Sequence, residues 1–247
     1  MNKWIITIFV LMNLVFIFII NYYANRDNTL KVAILDSGVN HKFIGNDIKT
    51  INFSSEKDNN DYHNHGTPVS SLITKGIKNV EFYHLKVLDK NGNSDSHNIN
   101  RALKWCKDNQ VQIINMSFGF ENINDKTSKL IDDLGADGVI IVASSGNNFG
   151  GDSDFPASHP LVISVGGLDK NLNLSKYSSS GKIDIYNISE NIKSINNQGK
   201  YQRYNGNSFA TALVTHEVIK LKLKDKTINS NNLKSKTNNY DNIEIFN

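Results

Sequence analysis

Apolar residues fall into short runs along this chain, and the spacing within each run selects a strand or a helix. Leu30–Leu35 (LKVAIL), Val80–Leu88 (VEFYHLKVL), Val111–Met116 (VQIINM) and Leu161–Val165 (LVISV) have the length and the Val, Ile and Leu content of strands. Gly138–Ala143 (GVIIVA) is apolar almost throughout, as in a strand covered on both faces. Ile48–Phe53 and Ile183–Tyr186 are weaker strand candidates. Between them, apolar residues recur at helical spacing. His65–Ile77 carries Val69, Leu72 and Ile73 on one side, Ser96–Asp108 follows the capping candidates Ser94, Asp95 and Ser96, and Thr127–Leu134 and Phe209–Leu223 complete the set. Strands alternating with helices predict an α/β fold: three layers, α/β/α, with a mainly parallel, doubly wound sheet. Sites in such folds gather at the carboxyl ends of strands. Asp36, Ser117 and Asn147 each stand just past a predicted strand end.

The first residues form a separate object. Trp4–Ile20 holds no charge and only Thr7 and Asn13 as polar residues. As a helix its ~17 residues reach roughly 25 Å, just short of a hydrocarbon core. Lys3 before it and the pair Tyr22-Tyr23 after it suit an uncleaved signal-anchor with a cytoplasmic N-terminus. A cleaved signal peptide has the same plan, but Tyr22 stands where the cleavage site wants a small residue. Either reading places the remainder outside the cytoplasmic membrane. The expected division is 1–24 as signal-anchor or signal peptide, 25–223 as catalytic domain and 224–247 as a polar tail with one short apolar element near its end.

A chain of 247 residues with 39% hydrophobic content suits one α/β domain with a real core. The net charge of +3 comes from nearly balanced acids and bases, so composition offers no footprint for nucleic acid. The single cysteine, Cys106, excludes an internal disulfide and reads as a small buried hydrophobe in a helix.

Three short motifs carry candidate chemistry: Asp36-Ser37-Gly38, His65-Gly66-Thr67 and Gly206-Asn207-Ser208-Phe209-Ala210-Thr211. Singly, each has a plain structural reading, as a turn, a packed histidine or a helix cap. Together they supply an acid, a base and a nucleophile. A serine hydroxyl attacks only when a base accepts its proton and a third group fixes the tautomer of that base. Ser208 begins a predicted helix, whose N-terminal N–H groups face a developing oxyanion. The other histidines (His41, His63, His84, His97, His159 and His216) read as surface or packing residues. Asp61, His63 and His65 imitate a metal triplet, but no further ligand pair stands at a recognisable spacing.

The order Asp, His, Ser and the residues around each resemble the subtilisin-like serine proteases, the subtilases, from about residue 30 to about residue 220. The resemblance implies a subtilisin-like sheet and assigns Asp36, His65 and Ser208 to a catalytic triad. Val139–Asn147 is similar to the family strand ending in Gly-Asn, which implies that the Asn147 side chain and the Ser208 N–H bind the oxyanion. Ile114–Gly119 is similar to the family segment that receives substrate as an added strand. Ser117, Phe118 and Gly119 are therefore expected to bind substrate, as are Ser145 and Gly146. Asp154-Phe155-Pro156 resembles the segment lining the primary specificity pocket and places Asp154 at its base, where a carboxylate would favour Lys or Arg before the cut. Peptide or protein substrates and a monomer follow, with no cofactor and no metal. The Lys75–Asn79 loop is too short and too poor in acids for the family's tight calcium site. Several features depart from the pattern. Ala212 stands for the usual Pro, Asn187-Ile188-Ser189 for the usual Ala-Pro-Gly, and only about ten residues separate the apolar segment from the first strand, too few for a propeptide. These departures support the rival expectation of a degenerate subtilase that binds peptide without cutting it.

Overall fold

The computed structural model describes residues 4, 11–16, 29–44, 47–120, 125–240 and 243–245. The chain divides into two compact units, 1–30 and 31–247. In the first, residues 11–16 are helical. Most of the apolar run assigned to a signal-anchor lies outside the described residues. Among the described residues no helix is long and apolar enough to cross a membrane.

The second unit is built on a parallel sheet. Its strands are β1 (Leu30–Asp36), β2 (Ile48–Asn52), β3 (Val80–Lys86), β4 (Ile113–Met116), β5 (Ile140–Ser144), β6 (Val162–Leu168) and β7 (Ile185–Ile188). They lie in the order β7-β6-β5-β4-β1-β3-β2. Five of the neighbouring pairs, β1–β4, β2–β3, β4–β5, β5–β6 and β6–β7, run parallel in register, with Val32 opposite Ile113 and Ile113 opposite Ile140. The direction of chain progress across the sheet reverses beside β1, between β4 on one side and β3 on the other. This is the switch point at which α/β folds open a crevice.

Two further strands, β10 (Asn238–Tyr240) and β11 (Ile243–Ile245), extend the sheet, β11 pairing parallel with β7 through Ile245 and Tyr186. A separate antiparallel hairpin joins β8 (Ile192–Ile195) to β9 (Tyr201–Tyr204). The hydrophobic pattern gave no sign of it, because Tyr201–Tyr204 is mostly exposed and polar.

The helices are α1 (Gly66–Thr74), α2 (Ser96–Asp108), α3 (Asp125–Ala136) and α4 (Asn207–Lys224). Side chains alternate across a strand, so each central strand supplies two cores. Ala33, Leu35, Ile114, Met116, Ile141 and Ala143 join one core with Ile99, Leu103, Ile131 and Leu134 of α2 and α3. The alternate residues Val32, Ile34, Ile113 and Ile140 are also fully buried. On that side α4 lies over β4, β5, β6 and β7, and α1 packs against α4. Burial on both faces explains the unbroken apolar runs of the central strands. Asp95 caps α2, its carboxylate accepting the Asn98 N–H at 2.8 Å. Cys106 is fully buried, and burial pushes its thiol up, which leaves it a packing residue.

Candidate active site

Strand β1 delivers Asp36 to the switch point. The Asp36 carbonyl accepts the N–H groups of Val87 and Leu88, which ties the strand end to the segment after β3. The carboxylate is fully buried, and its Oδ1 accepts the Ser37 N–H at 2.8 Å and faces His65 Nδ1 at 2.7 Å. The carboxylate only accepts, so Nδ1 carries the proton and Nε2 keeps its lone pair. Burial pushes Asp36 up, but the facing His65, by charge and by hydrogen bond, outweighs it and holds the carboxyl below the ordinary range. His65 shows the counterpart. Burial presses it down, and the charge of Asp36 and their hydrogen bond carry it above 6.5.

His65 stands at the N-terminus of α1, with its side chain 20% exposed. The loop before it is anchored by Asp61, which the sequence placed only in a discarded metal triplet. Asp61 is buried and accepts the Ser37 hydroxyl at 2.8 Å, the Thr67 N–H at 2.7 Å and the His65 N–H at 3.3 Å. It therefore caps α1 and joins it to the turn after Asp36. The hairpin holds the same loop from outside. The Asn197 N–H donates to Asn64 Oδ1 at 2.9 Å, and Asn197 Nδ2 donates to the Asp61 carbonyl at 2.7 Å.

Ser208 lies in the first turn of α4, after Gly206 at φ 128. That backbone conformation favours glycine and turns the chain sharply into the helix. Ser208 Oγ donates to the Ser117 carbonyl at 2.7 Å, and Ser117 Oγ donates to the Ser208 carbonyl at 3.0 Å. Among the described hydrogen bonds none joins Ser208 to His65. Phe209, next in sequence, stacks beside the His65 ring at 5.7 Å. Ala212 continues α4 in a fully buried position, and Ser189 fills the altered turn by accepting the Gly206 N–H at 2.8 Å.

Asn147 is exposed just past β5. Its Oδ1 accepts the Asn207 N–H at 2.9 Å. This fixes the amide orientation, because only the oxygen can accept, and leaves Nδ2 beside Gly206 at the entry to the Ser208 turn. Asn207 is held in turn, its Nδ2 donating to Ser145 Oγ at 2.9 Å and to the Gly146 carbonyl at 2.7 Å.

Ser117, Phe118 and Gly119 leave the end of β4, and Phe118 packs on Phe120 at 5.4 Å. A short bridge pairs Phe120 with Phe155, bringing the Asp154 segment alongside. The Asp154 N–H donates to the Ser145 carbonyl at 2.9 Å. Its side chain lies between Gly119 and Gly146, where a Cβ on either glycine would overlap it. Asn148 Nδ2 donates to Asp154 Oδ1 at 2.8 Å. Among the described residues no Lys or Arg pairs with this carboxylate, and no group of three or more His, Cys, Asp or Glu side chains converges as metal ligands.

The model of the subtilase family matches residues 27–240. Alkaline elastase YaB of Bacillus sp. (strain YaB) is 30% identical over 236 residues, covering 88% of this chain and 61% of that protein. Subtilisin DY of Bacillus licheniformis is 27% identical, covering 84% of this chain and 81% of its own length. The crystal structure of a cold adapted subtilisin-like serine proteinase superimposes with a TM-score of 0.79 at 21% identity, covering 87% of each chain. By its sequence match over most of its length and by its sheet, this chain belongs to the subtilase family.

Proposed function

We propose that the chain hydrolyses peptide bonds through Ser208, His65 and Asp36, with Asn147 assisting at the oxyanion. The observation that carries this reading is the 2.7 Å contact between His65 Nδ1 and a buried, ionised Asp36. It leaves His65 Nε2 free to take a proton. The Ser208 hydroxyl turns from the Ser117 carbonyl onto Nε2, and Oγ attacks the scissile carbonyl carbon as its proton passes to His65. The oxygen that gains charge meets Asn147 Nδ2 and the Ser208 N–H. His65 then protonates the leaving amine, the peptide C–N bond breaks, and water releases the acyl group by the same route. Asp36 holds the ring and stabilises the imidazolium.

Ser117, Phe118 and Gly119 receive the substrate as an extended strand, facing Ser145 and Gly146. Asp154 sits at the base of the pocket for the side chain preceding the cut and selects Lys or Arg, since a cation offsets a carboxylate that has no charged partner. The domain 25–223 acts as a monomer on peptides or proteins outside the cytoplasmic membrane, led there by the apolar segment before it and followed by the tail 224–247. Cell fractionation with N-terminal sequencing tests this. A membrane-bound full chain supports an anchor, a soluble product starting near Asn25 supports a cleaved signal, and a cytoplasmic product overturns export.

The resting bond from Ser208 to Ser117 favours a second reading, a peptide-binding subtilase that does not cut. A fluorophosphonate probe on the full chain and on Ser208→Ala, followed by a peptide-cleavage assay, separates the two. Labelling lost in the variant, together with cleavage by the wild type, supports the protease. A folded wild type that neither labels nor cleaves supports the binding module.

A further inference from the structure

His84 lies in the middle of β3 and is fully buried. Its Nε2 accepts the Gly38 N–H at 3.0 Å, and its Nδ1 meets Ser70 Oγ at 2.9 Å. Accepting at Nε2 fixes the neutral tautomer with the proton on Nδ1, which donates to Ser70. The ring thus reaches from β3 to the turn after Asp36 and to the first turns of α1. It also lies against Gly66, where a Cβ would come within 2.9 Å of His84 Cε1 and would overlap the Gly38 carbonyl. One imidazole therefore touches the turn that follows the acid and the residue that follows the base.

We propose that His84 is a positioning residue for the Asp36–His65 pair, with Ser70 selecting the tautomer that lets it accept the Gly38 N–H. Asp36 Oδ1 is placed by the Ser37 N–H, so the setting of the Ser37-Gly38 turn sets the carboxylate that faces His65. Without the His84 acceptor the Gly38 N–H is buried and unpaired, and the turn shifts to find another partner. The charged and titratable groups facing the ring are Asp36 at the end of β1, Asp61 in the loop before α1, His65 at the start of α1 and Lys86 on β3 itself. Desolvation outweighs the two carboxylates and pushes His84 down to about 4, so the ring is uncharged at neutral pH.

This inference rests on the triad reading, and three single variants of the full chain test it. His84→Leu removes the acceptor and changes no charge at neutral pH. His84→Gln keeps an acceptor near the Nε2 position. Ser70→Ala removes the partner of Nδ1 with little change in volume. We expect His84→Leu to lower kcat on the order of tenfold with KM nearly unchanged, the loss of about one buried hydrogen bond in positioning. We also expect the acid limb of its kcat/KM profile to move to lower pH, because a displaced Asp36 no longer raises His65. His84→Gln should restore most of both, and Ser70→Ala should reproduce part of the loss. Ring 15N shifts of His84 in the wild type should report a proton on Nδ1, independently of activity. Equal impairment in the Leu and Gln variants, an unmoved acid limb in a folded His84→Leu, or a proton on Nε2 would overturn the proposal. If His84→Leu does not fold, an unaltered rate and acid limb in Ser70→Ala overturn it alone. An inactive wild type overturns the triad reading instead, and the ring shifts still decide the tautomer.

Discussion

At the scale of single residues, the proposed mechanism gives Asn147 and Asp154 separable duties. Asn147 presents Nδ2 because Asn207 N–H claims its oxygen, so removing the amide should touch the developing oxyanion and little else. Asn147→Leu should lower kcat on the order of 10²–10³ at nearly constant KM, the size known for removal of the oxyanion-hole asparagine in subtilisin. An effect confined to KM would assign Asn147 to substrate positioning. Asp154 is proposed to act on the substrate instead. A peptide library should show Lys or Arg before the cut with the wild type and lose that preference with Asp154→Gly. A wild type that prefers large apolar residues would refute the assignment. As the proposed base, His65 should govern the acid limb. Because Asp36 carries it above 6.5, kcat/KM should rise with pH through an apparent pKa above that value. In Asp36→Asn the limb should fall below 6.5, since only the smaller effect of the Asp61 charge then opposes burial.

At the scale of elements, the triad is held by contacts that cross between them. Helix α1 begins where Asp61 caps it, and the β8–β9 hairpin fastens the preceding loop through Asn197. Asn197→Ala should remove the side-chain bond to the Asp61 carbonyl and cost about 1–2 kcal/mol of stability. For a domain of this size that is a fall of a few degrees in Tm. The rate should fall with it, because Asn64, which receives the Asn197 N–H, directly precedes His65. A stability loss with an unchanged kcat would show that the hairpin braces the domain without acting on the base.

For the molecule as a whole, the buried histidines give stability a pH dependence of opposite signs. His84 binds its proton more weakly when folded, so the unfolded chain takes up protons first as pH falls. Stability is therefore lost between 6.5 and about 4, by up to about 3 kcal/mol, and the loss levels off below the folded value, where both states carry the proton. His65 binds its proton more tightly when folded, so its contribution is present below 6.5 and fades as pH rises through its higher folded value. Asp36 adds stability above 3.8 that disappears as pH falls through its lower folded value. Urea unfolding at pH 6.5, 5.5 and 4.5 should show the wild type weakening with acid and His84→Gln weakening less. Parallel slopes in the two proteins would refute the His84 contribution.

The sequence alone carried the alternation of strands and helices, because strands buried on both faces must be apolar throughout and amphipathic helices must repeat at helical spacing. Leu30–Leu35 became β1 and Ser96–Asp108 became α2 with the same boundaries or one residue more. It also carried the residue types and the order of the proposed triad, since Asp36, His65 and Ser208 sit in short contiguous motifs. Tertiary structure alone revealed the hairpin, whose exposed polar strand has no hydrophobic signature, and the docking of β11 beside β7, which depends on a partner far away in the chain. It alone revealed what surrounds the motifs. Asp61 became a cap, Asn207 a brace for Asn147, and His84, indistinguishable in sequence from other histidines, a buried acceptor behind Asp36. Hydrogen bonds of this kind join residues that are distant along the chain and leave no periodicity. Only the folding of β1, β3 and α1 onto one another brings their donors and acceptors within reach.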